Sequence, residues 1–217
     1  KTEYAFILNP DVILEEDTIK ELIEKSKDLQ SFGIIAPIEI NQNFPNFKRD
    51  KTSNNNFELL TPFNVKSVDG YAMVLNLKKL NQIDKFYYFD ENFFMYLEND
   101  DLCKRLKDND EKIYIIPSSR IKHLGGKAVD ETYKNEIELS RNWHWIWSKF
   151  YFNKKHHGYF FALINGLPTF ISSVLKFLFN LMVNNNKKKK IYLNRVLGFV
   201  NTIKCKKSYL RPKLDDQ

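Results

Sequence analysis

Between residues 89 and 106 the chain reads FDENFFMYLENDDLCKRL, five carboxylates set among Phe, Tyr and Met side chains. A carboxylate beside an apolar wall is suited to proton transfer, because poor solvation of the anion lifts its pKa toward neutrality. Two more residues capable of chemistry stand elsewhere: Asp11, after Asn9-Pro10, and His123, before Leu124-Gly125-Gly126. Oxygen ligands with an occasional imidazole suit hard divalent ions, so Asp11, His123 and the acids at 98–101 admit Mg2+ or Mn2+. Taken singly, each has a plainer reading. An Asp after Asn-Pro is common turn chemistry. Acids at a helix start are favoured by the helix dipole. A His before two glycines is more often structural. The joint pattern carries more weight than any part.

The elements that would position these residues follow from periodicity. YAFIL (4–8) is a short apolar run ended by Asn9-Pro10, since proline drives its predecessor out of the helical region. Residues 15–29 carry Ile19, Leu22 and Ile23 at helical spacing with acids in the first turn, which predicts a helix. GIIAPIEI (33–40) reads as a second strand, and strand-helix-strand implies an α/β sheet. Residues 41–60 are polar and Asn-rich, a loop. A strand, YAMVLNL, is entered through Asp69-Gly70, and a helix with Leu102 and Leu106 begins near Glu98 or Asn99. A further strand over 112–116 stops at Pro117, and a short extended piece ends at His123. Asp11, the 98–101 cluster and His123 thus fall at strand ends, where open α/β sheets bind ligands.

The remainder differs in kind. All but two of the acids, Asp215 and Asp216, lie within residues 1–140, whereas 141–217 is basic and includes KKKK at 187–190. Tyr159 to Val183 is an apolar stretch interrupted by Asn165-Gly166, Pro168 and Lys176. Aromatics, lysines and a broken apolar run suit an amphipathic, membrane-associating helical tail, with a spanning helix and a hairpin packed on the domain as alternatives. Nucleic-acid binding fits less well, because the basic residues share their segment with that apolar run. Cys103 and Cys205 form no disulfide framework or metal-type spacing, which points to a reducing compartment.

Four segments in order, FILNPDV, SVDGYAMVLN, FDENFFMYLENDDLCKRL and IYIIPSSRIKHLGG, resemble family 2 glycosyltransferases, with the rhamnosyltransferase-like enzymes of bacterial surface polysaccharide synthesis as the nearest subgroup. The resemblance covers residues 4 to about 126. It implies a GT-A-like fold, a truncated Rossmann-like mixed sheet with flanking helices, within an α/β class. Residues 1–140 would be the C-terminal part of the catalytic domain and 141–217 the tail. It also implies an inverting reaction, a nucleotide-sugar donor, a glycan or lipid-linked acceptor and a divalent metal at Asp11 and His123. Asp69, Gly70, Phe94, Tyr96 and Arg105 would line the acceptor pocket, with Glu98, Asn99 and Asp101 in the catalytic positions. Asn99 departs from the pattern, which carries the aspartate base there, so a non-catalytic binding module is the alternative. Such enzymes begin with nucleotide-binding strands that would precede residue 1, and they work at the cytoplasmic face of the cell membrane.

Overall fold

A computed structural model describes residues 2–41, 43–49, 61–83, 86–125 and 131–211. They form two compact units, Lys1–Asp90 with Asn99–Ala128, and Glu91–Glu98 with Val129–Gln217. Most of the expected 41–60 loop (42 and 50–60), and Gly126, lie outside the described residues.

The first unit is built on a six-stranded mixed sheet. Its strands are β1 (Tyr4–Leu8), β2 (Val12–Leu14), β3 (Ile34–Glu39), β5 (Phe63–Asn64), β7 (Ala72–Asn76) and β8 (Ile113–His123); β4 (Phe47–Lys48) and β6 (Ser67–Val68) pair separately. The main order is β1-β7-β3-β8-β2, with β5 also on β8. β7 is antiparallel to both β1 and β3, and β3 is parallel to β8. Hence β1, β3 and β8 run the same way, and their carboxyl ends share one edge. Side chains alternate across the strands. Ile34, Ala36, Met73, Leu75, Ile113 and Ile115 join Leu102, Cys103 and Leu106 of α3 (Glu98–Asp108) in one core. Ile35, Val74 and Ile116 join Leu22 of α1 (Thr18–Asp28) in another. A four-residue helix, α2 (Leu77–Leu80), follows β7.

The strand expected to stop at Pro117 does not stop. β8 continues to His123, and the irregularity is absorbed as a bulge: Pro37 pairs with Ile116, but Ile38 pairs with Arg120. Prolines cannot donate to a ladder, and a bulge is where a sheet tolerates them. The bulge is tied to α1. Ser119 Oγ donates to Thr18 O at 2.8 Å, and Thr18 Oγ1 donates to Arg120 O at 2.6 Å.

The second unit contains three long helices, α4 (Lys134–His157), α5 (Tyr159–Met182) and α6 (Asn186–Ile203), with Ile146, Phe150, Ala162 and Phe199 at their centre. A single residue joins α4 to α5: Gly158, at φ +89°, takes a backbone conformation that other residues adopt only with strain. At Gly198 a Cβ would lie 2.6 Å from Trp143 O, so α6 meets the α4 backbone through a missing side chain. The expected interruptions of the apolar run are also absent. α5 is continuous through Pro168. One lost backbone bond there is outweighed because Ala162 and Phe170, on either side, pack on Phe199 and its neighbours.

Candidate active site

The carboxyl edge of β1, β3 and β8 gathers the polar residues of the first unit. Asp11 sits in the turn between β1 and β2. That turn is held by Asn9 N donating to Tyr71 O (2.9 Å), and by Leu124 N donating to Asp11 O (2.9 Å). Pairing of β2 with β8 sets Val12 opposite His123. The imidazole Nε2 consequently lies 3.3 Å from Asp11 Oδ2. Tyr71 stacks on the His123 ring at 4.0 Å between centroids. The His123 backbone N–H donates to Glu39 Oε2 at 2.9 Å. The β8 bulge matters here, because it sets where the last four residues of the strand deliver this side chain.

Glu39 and its neighbours were not foreseen from sequence. Glu39 is buried; its Oε1 accepts from Asn41 N (3.1 Å), and its own N–H donates to Asn46 Oδ1 (3.1 Å). The buried Asn46 amide also donates to Pro37 O at 2.8 Å, closing the turn after β3. These contacts exist only once β3, β4 and β8 are assembled, so no local signal marks them. Tyr71 had one: it follows Asp69-Gly70 directly at the strand entrance.

Asp69 opens this strand, with its N–H bonded to Asn46 O at 2.8 Å. Burial raises its carboxyl pKa; the Lys48 ammonium works against that, Asp100 adds to it, and His123 opposes it. Burial, with Asp69 and Glu39 nearby, likewise holds the Tyr71 hydroxyl firmly protonated. Gly70 leaves room for α3: a Cβ there would lie 3.2 Å from Asn99 Cβ.

The acids of α3 are mostly committed to architecture. Asp101 is fully buried, and its Oδ2 accepts from Arg105 Nε at 2.9 Å. Arg105 then donates to Tyr87 O (2.6 Å) and Tyr88 O (2.8 Å), and its guanidinium covers the Tyr87 ring at 4.1 Å. The pair thus clamps the 87–88 backbone to α3. Asp100 accepts from Lys48 Nζ (2.7 Å) and Ser67 Oγ (3.1 Å), tying α3 to the small β4–β6 sheet. Asn99 Nδ2 donates to Val68 O at 2.8 Å, a bond that an ionised carboxylate could not make. Cys103 is buried, which pushes its thiol up to about 12.

Glu98, Phe94 and Tyr96 belong to the second unit. Tyr96 and Leu97 both hold left-handed backbone, at φ 69° and 66°, just before α3. Two consecutive residues of this kind store about 2–4 kcal/mol of strain. The segment is restrained by Ser148 Oγ donating to Met95 O at 2.7 Å and by the Tyr96 ring set edge-on to Trp145. Burial, and to a smaller degree Glu98, raises the Tyr96 pKa, while Arg141 lowers it. Phe94 is exposed, with the Arg211 guanidinium 3.6 Å over its ring and the His144 ring 4.8 Å away.

Asp11 and His123 are the side chains of this edge that could hold a cation. Two ligands on one octahedral Mg2+ with bonds of 2.0–2.1 Å stand about 3 Å apart, close to the 3.3 Å observed. Among the described residues no group of three His, Cys, Asp or Glu side chains is placed to hold a metal. Two side chains fill only part of a six-oxygen shell, so an ion held here would take its remaining ligands from outside this pair.

No protein-family model matches the chain. No curated protein matches it either. Among solved structures it is similar to the crystal structure of GalNAc-T7 with UDP, GalNAc and Mn2+, at 11% identity and a TM-score of 0.43, over 65% of this chain and 34% of that one. The chain therefore spans about a third of the length of that structure, and a likeness this distant carries no functional argument.

Proposed function

We propose that this chain supplies the metal and acceptor side of a nucleotide-sugar-dependent glycosyltransferase. In this reading it is an inverting enzyme that moves a hexosyl or deoxyhexosyl unit, with rhamnose the first candidate, onto a glycan or lipid-linked acceptor. The observation that carries the reading is the Asp11–His123 pair at 3.3 Å on the carboxyl edge of a mixed sheet. The order of the four sequence segments supports it. So does the presence of Asp69 and Tyr71 on the same edge.

In such a reaction an acceptor hydroxyl attacks the anomeric carbon as the bond from that carbon to the diphosphate oxygen breaks. The hydroxyl proton passes to a carboxylate, and the nucleoside diphosphate leaves. A divalent ion, when bound, offsets the charge building on that leaving group. Asp11 and His123 would hold it, with the Tyr71 ring stacked on the imidazole and the Glu39 carboxylate anchoring the His123 backbone N–H. The proton acceptor we assign is Asp69. Asp101 is engaged by Arg105 and Asp100 by Lys48, and the Asn99 amide is not a base. Burial brings the Asp69 pKa up toward the working pH, which favours general-base catalysis. Glu98, nominated by the family pattern, is the competing base.

The test is Mn2+ binding by electron paramagnetic resonance in the presence of UDP, GDP or dTDP, paired with nucleoside diphosphate release from the matching sugars. Nucleotide-dependent Mn2+ binding is expected, weakened about 100-fold or more in Asp11→Ala and His123→Ala. Turnover lost in Asp69→Asn but kept in Glu98→Gln would support the assigned base, and the reverse would replace it. Equal Mn2+ binding in parent and variants, with no sugar release, would sink the reading. Asn99 at the usual base position supports a second reading, a sugar-nucleotide-binding module without turnover. Metal-dependent binding with no release in any variant would select it.

A further inference from the structure

α5 is long and apolar enough to cross a membrane, yet only 11% of its most apolar window is buried within the protein. Its outward residues form a stripe: Phe160, Ile164, Leu167, Ile171, Leu175 and Leu178 follow one another by three or four positions and are all exposed, Phe160 at 78% and Leu175 at 61%. This spacing is the apolar face of a single helix. Its opposite face, with Ala162 and Phe170, is already packed on Phe150 and Phe199. Three polar side chains of α5 donate to their own helix backbone: Asn165 to Phe161 O, Ser173 to Thr169 O and Asn180 to Lys176 O. Exposed apolar area of this extent marks an interaction surface.

The charges name the partner. Cations flank both ends of the stripe: Lys154 and Lys155 close α4 just before Gly158, and Lys187 to Lys190 open α6 just after α5. Lys176, within α5, is drawn to the side over the Tyr192 ring of α6, at 5.6 Å. A protein partner would need acids around an apolar groove; an anionic bilayer offers both features everywhere on its surface. Crossing the bilayer is disfavoured by the same contacts. α6 runs alongside α5, with Phe199 stacked on Phe170 and Tyr192 under Lys176. A spanning α5 would carry Arg195 of α6 into hydrocarbon, where a charge is costly. We propose that α5 lies in the plane of an anionic membrane, its stripe in the acyl boundary and the flanking lysines among the headgroups.

The experiment is co-sedimentation of the 217-residue chain with phosphatidylcholine vesicles, with and without phosphatidylglycerol. Binding is expected only with the anionic lipid, and it should be released by alkaline carbonate. Ile171→Asp combined with Leu175→Asp should lower the bound fraction about tenfold or more, with helical circular dichroism unchanged because both positions are exposed. Lys187→Glu with Lys188→Glu should weaken binding while leaving the stripe intact. Should the double Asp variant misfold, Ile171→Trp gives a separate reading: its added fluorescence should be quenched by brominated acyl chains. Failure to bind, binding indifferent to the stripe, resistance to carbonate, or a stable dimer that dissolves in the double Asp variant without vesicle binding would each overturn the proposal.

Discussion

At the sheet edge of the first unit, charged groups are consumed in holding the fold. Asp101 meets Arg105, Asp100 meets Lys48, and Glu39 holds the backbone of His123. On α5 the reverse holds: a row of Phe, Ile and Leu side chains is left exposed among the described residues. The first region hides what proteins usually expose, and the second exposes what they usually hide. Each inversion costs free energy. A buried charge loses its hydration and an exposed apolar row orders water, so each must be recovered by a partner. For the acids that partner is internal and visible. For α5 it is outside the chain.

If the acids of α3 are architectural, removing one should unfold the unit before it affects any chemistry. Asp101→Asn strips Arg105 of its buried counter-ion and should cost about 3 kcal/mol in urea unfolding. A loss under about 1 kcal/mol would show the pair to be dispensable. Gly198→Ala tests whether the interior of the helical unit is as closely fitted as the sheet. Its Cβ would meet Trp143 O at 2.6 Å, and a loss of about 2 kcal/mol is expected in a thermal melt. Asn99→Asp replaces the donor to Val68 O by an acceptor and should cost about 1–2 kcal/mol at neutral pH. The penalty should shrink in acid, where the protonated carboxyl can donate again.

His144 gives a smaller effect with a definite sign. Its Nε2 lies 2.8 Å from Leu210 O, and Nδ1 lies 3.0 Å from Ser208 Oγ. Burial lowers its pKa below 6.5, with Arg211 acting in the same direction and the Leu210 carbonyl opposing. As pH falls, the unfolded chain takes up the proton first. The stability from neutral His144 is therefore full above about 6.5 and drains away as pH falls through the lower folded value. Guanidinium unfolding across that range should show the decline, and His144→Gln should flatten it. Smallest of all, Ile164→Ser on the outer stripe should alter solution stability by no more than about 0.5 kcal/mol. A larger loss would mean the stripe is covered within the chain and that the contrast drawn above is false.

How much of this was legible in the residues depends on the range of the interaction. β1, α1, β3, β7 and the start of α3 were readable, because alternation, helical spacing and Asn-Pro or Asp-Gly turns are local. Asp11 and His123 were readable as strand-end residues. Their approach was implied only by the family resemblance and not by any local pattern, since it depends on β2 pairing with β8 across more than a hundred residues. Pro117 misled for the same reason. A bulge is a property of two strands in register, and from one strand a proline looks like a stop. The apolar residues at 93–96 read as a wall around the acids; that Phe94 and Tyr96 also meet Arg211 and Trp145, partners far downstream in the chain, carries no local signal.

The place of β8 in the sheet carries a consequence for the order of assembly. β2, β3 and β5 all pair with β8, and β8 begins only at Ile113. At ordinary synthesis rates roughly 4–16 s separate the emergence of β3 from that of β8. In that interval only the β1–β7–β3 side can form. The apolar β3, IIAPIE, then waits with one flank open. On that flank the alternate residues from Ile34 to Ile40 carry the N–H groups that later meet β8, Ile34 N donating to Lys112 O and Ile40 N to Ile121 O, so they stand open to untimely pairing until then. The nascent chain should therefore depend on holdase chaperones most strongly just before residue 113 leaves the ribosome, and least once it has passed residue 123.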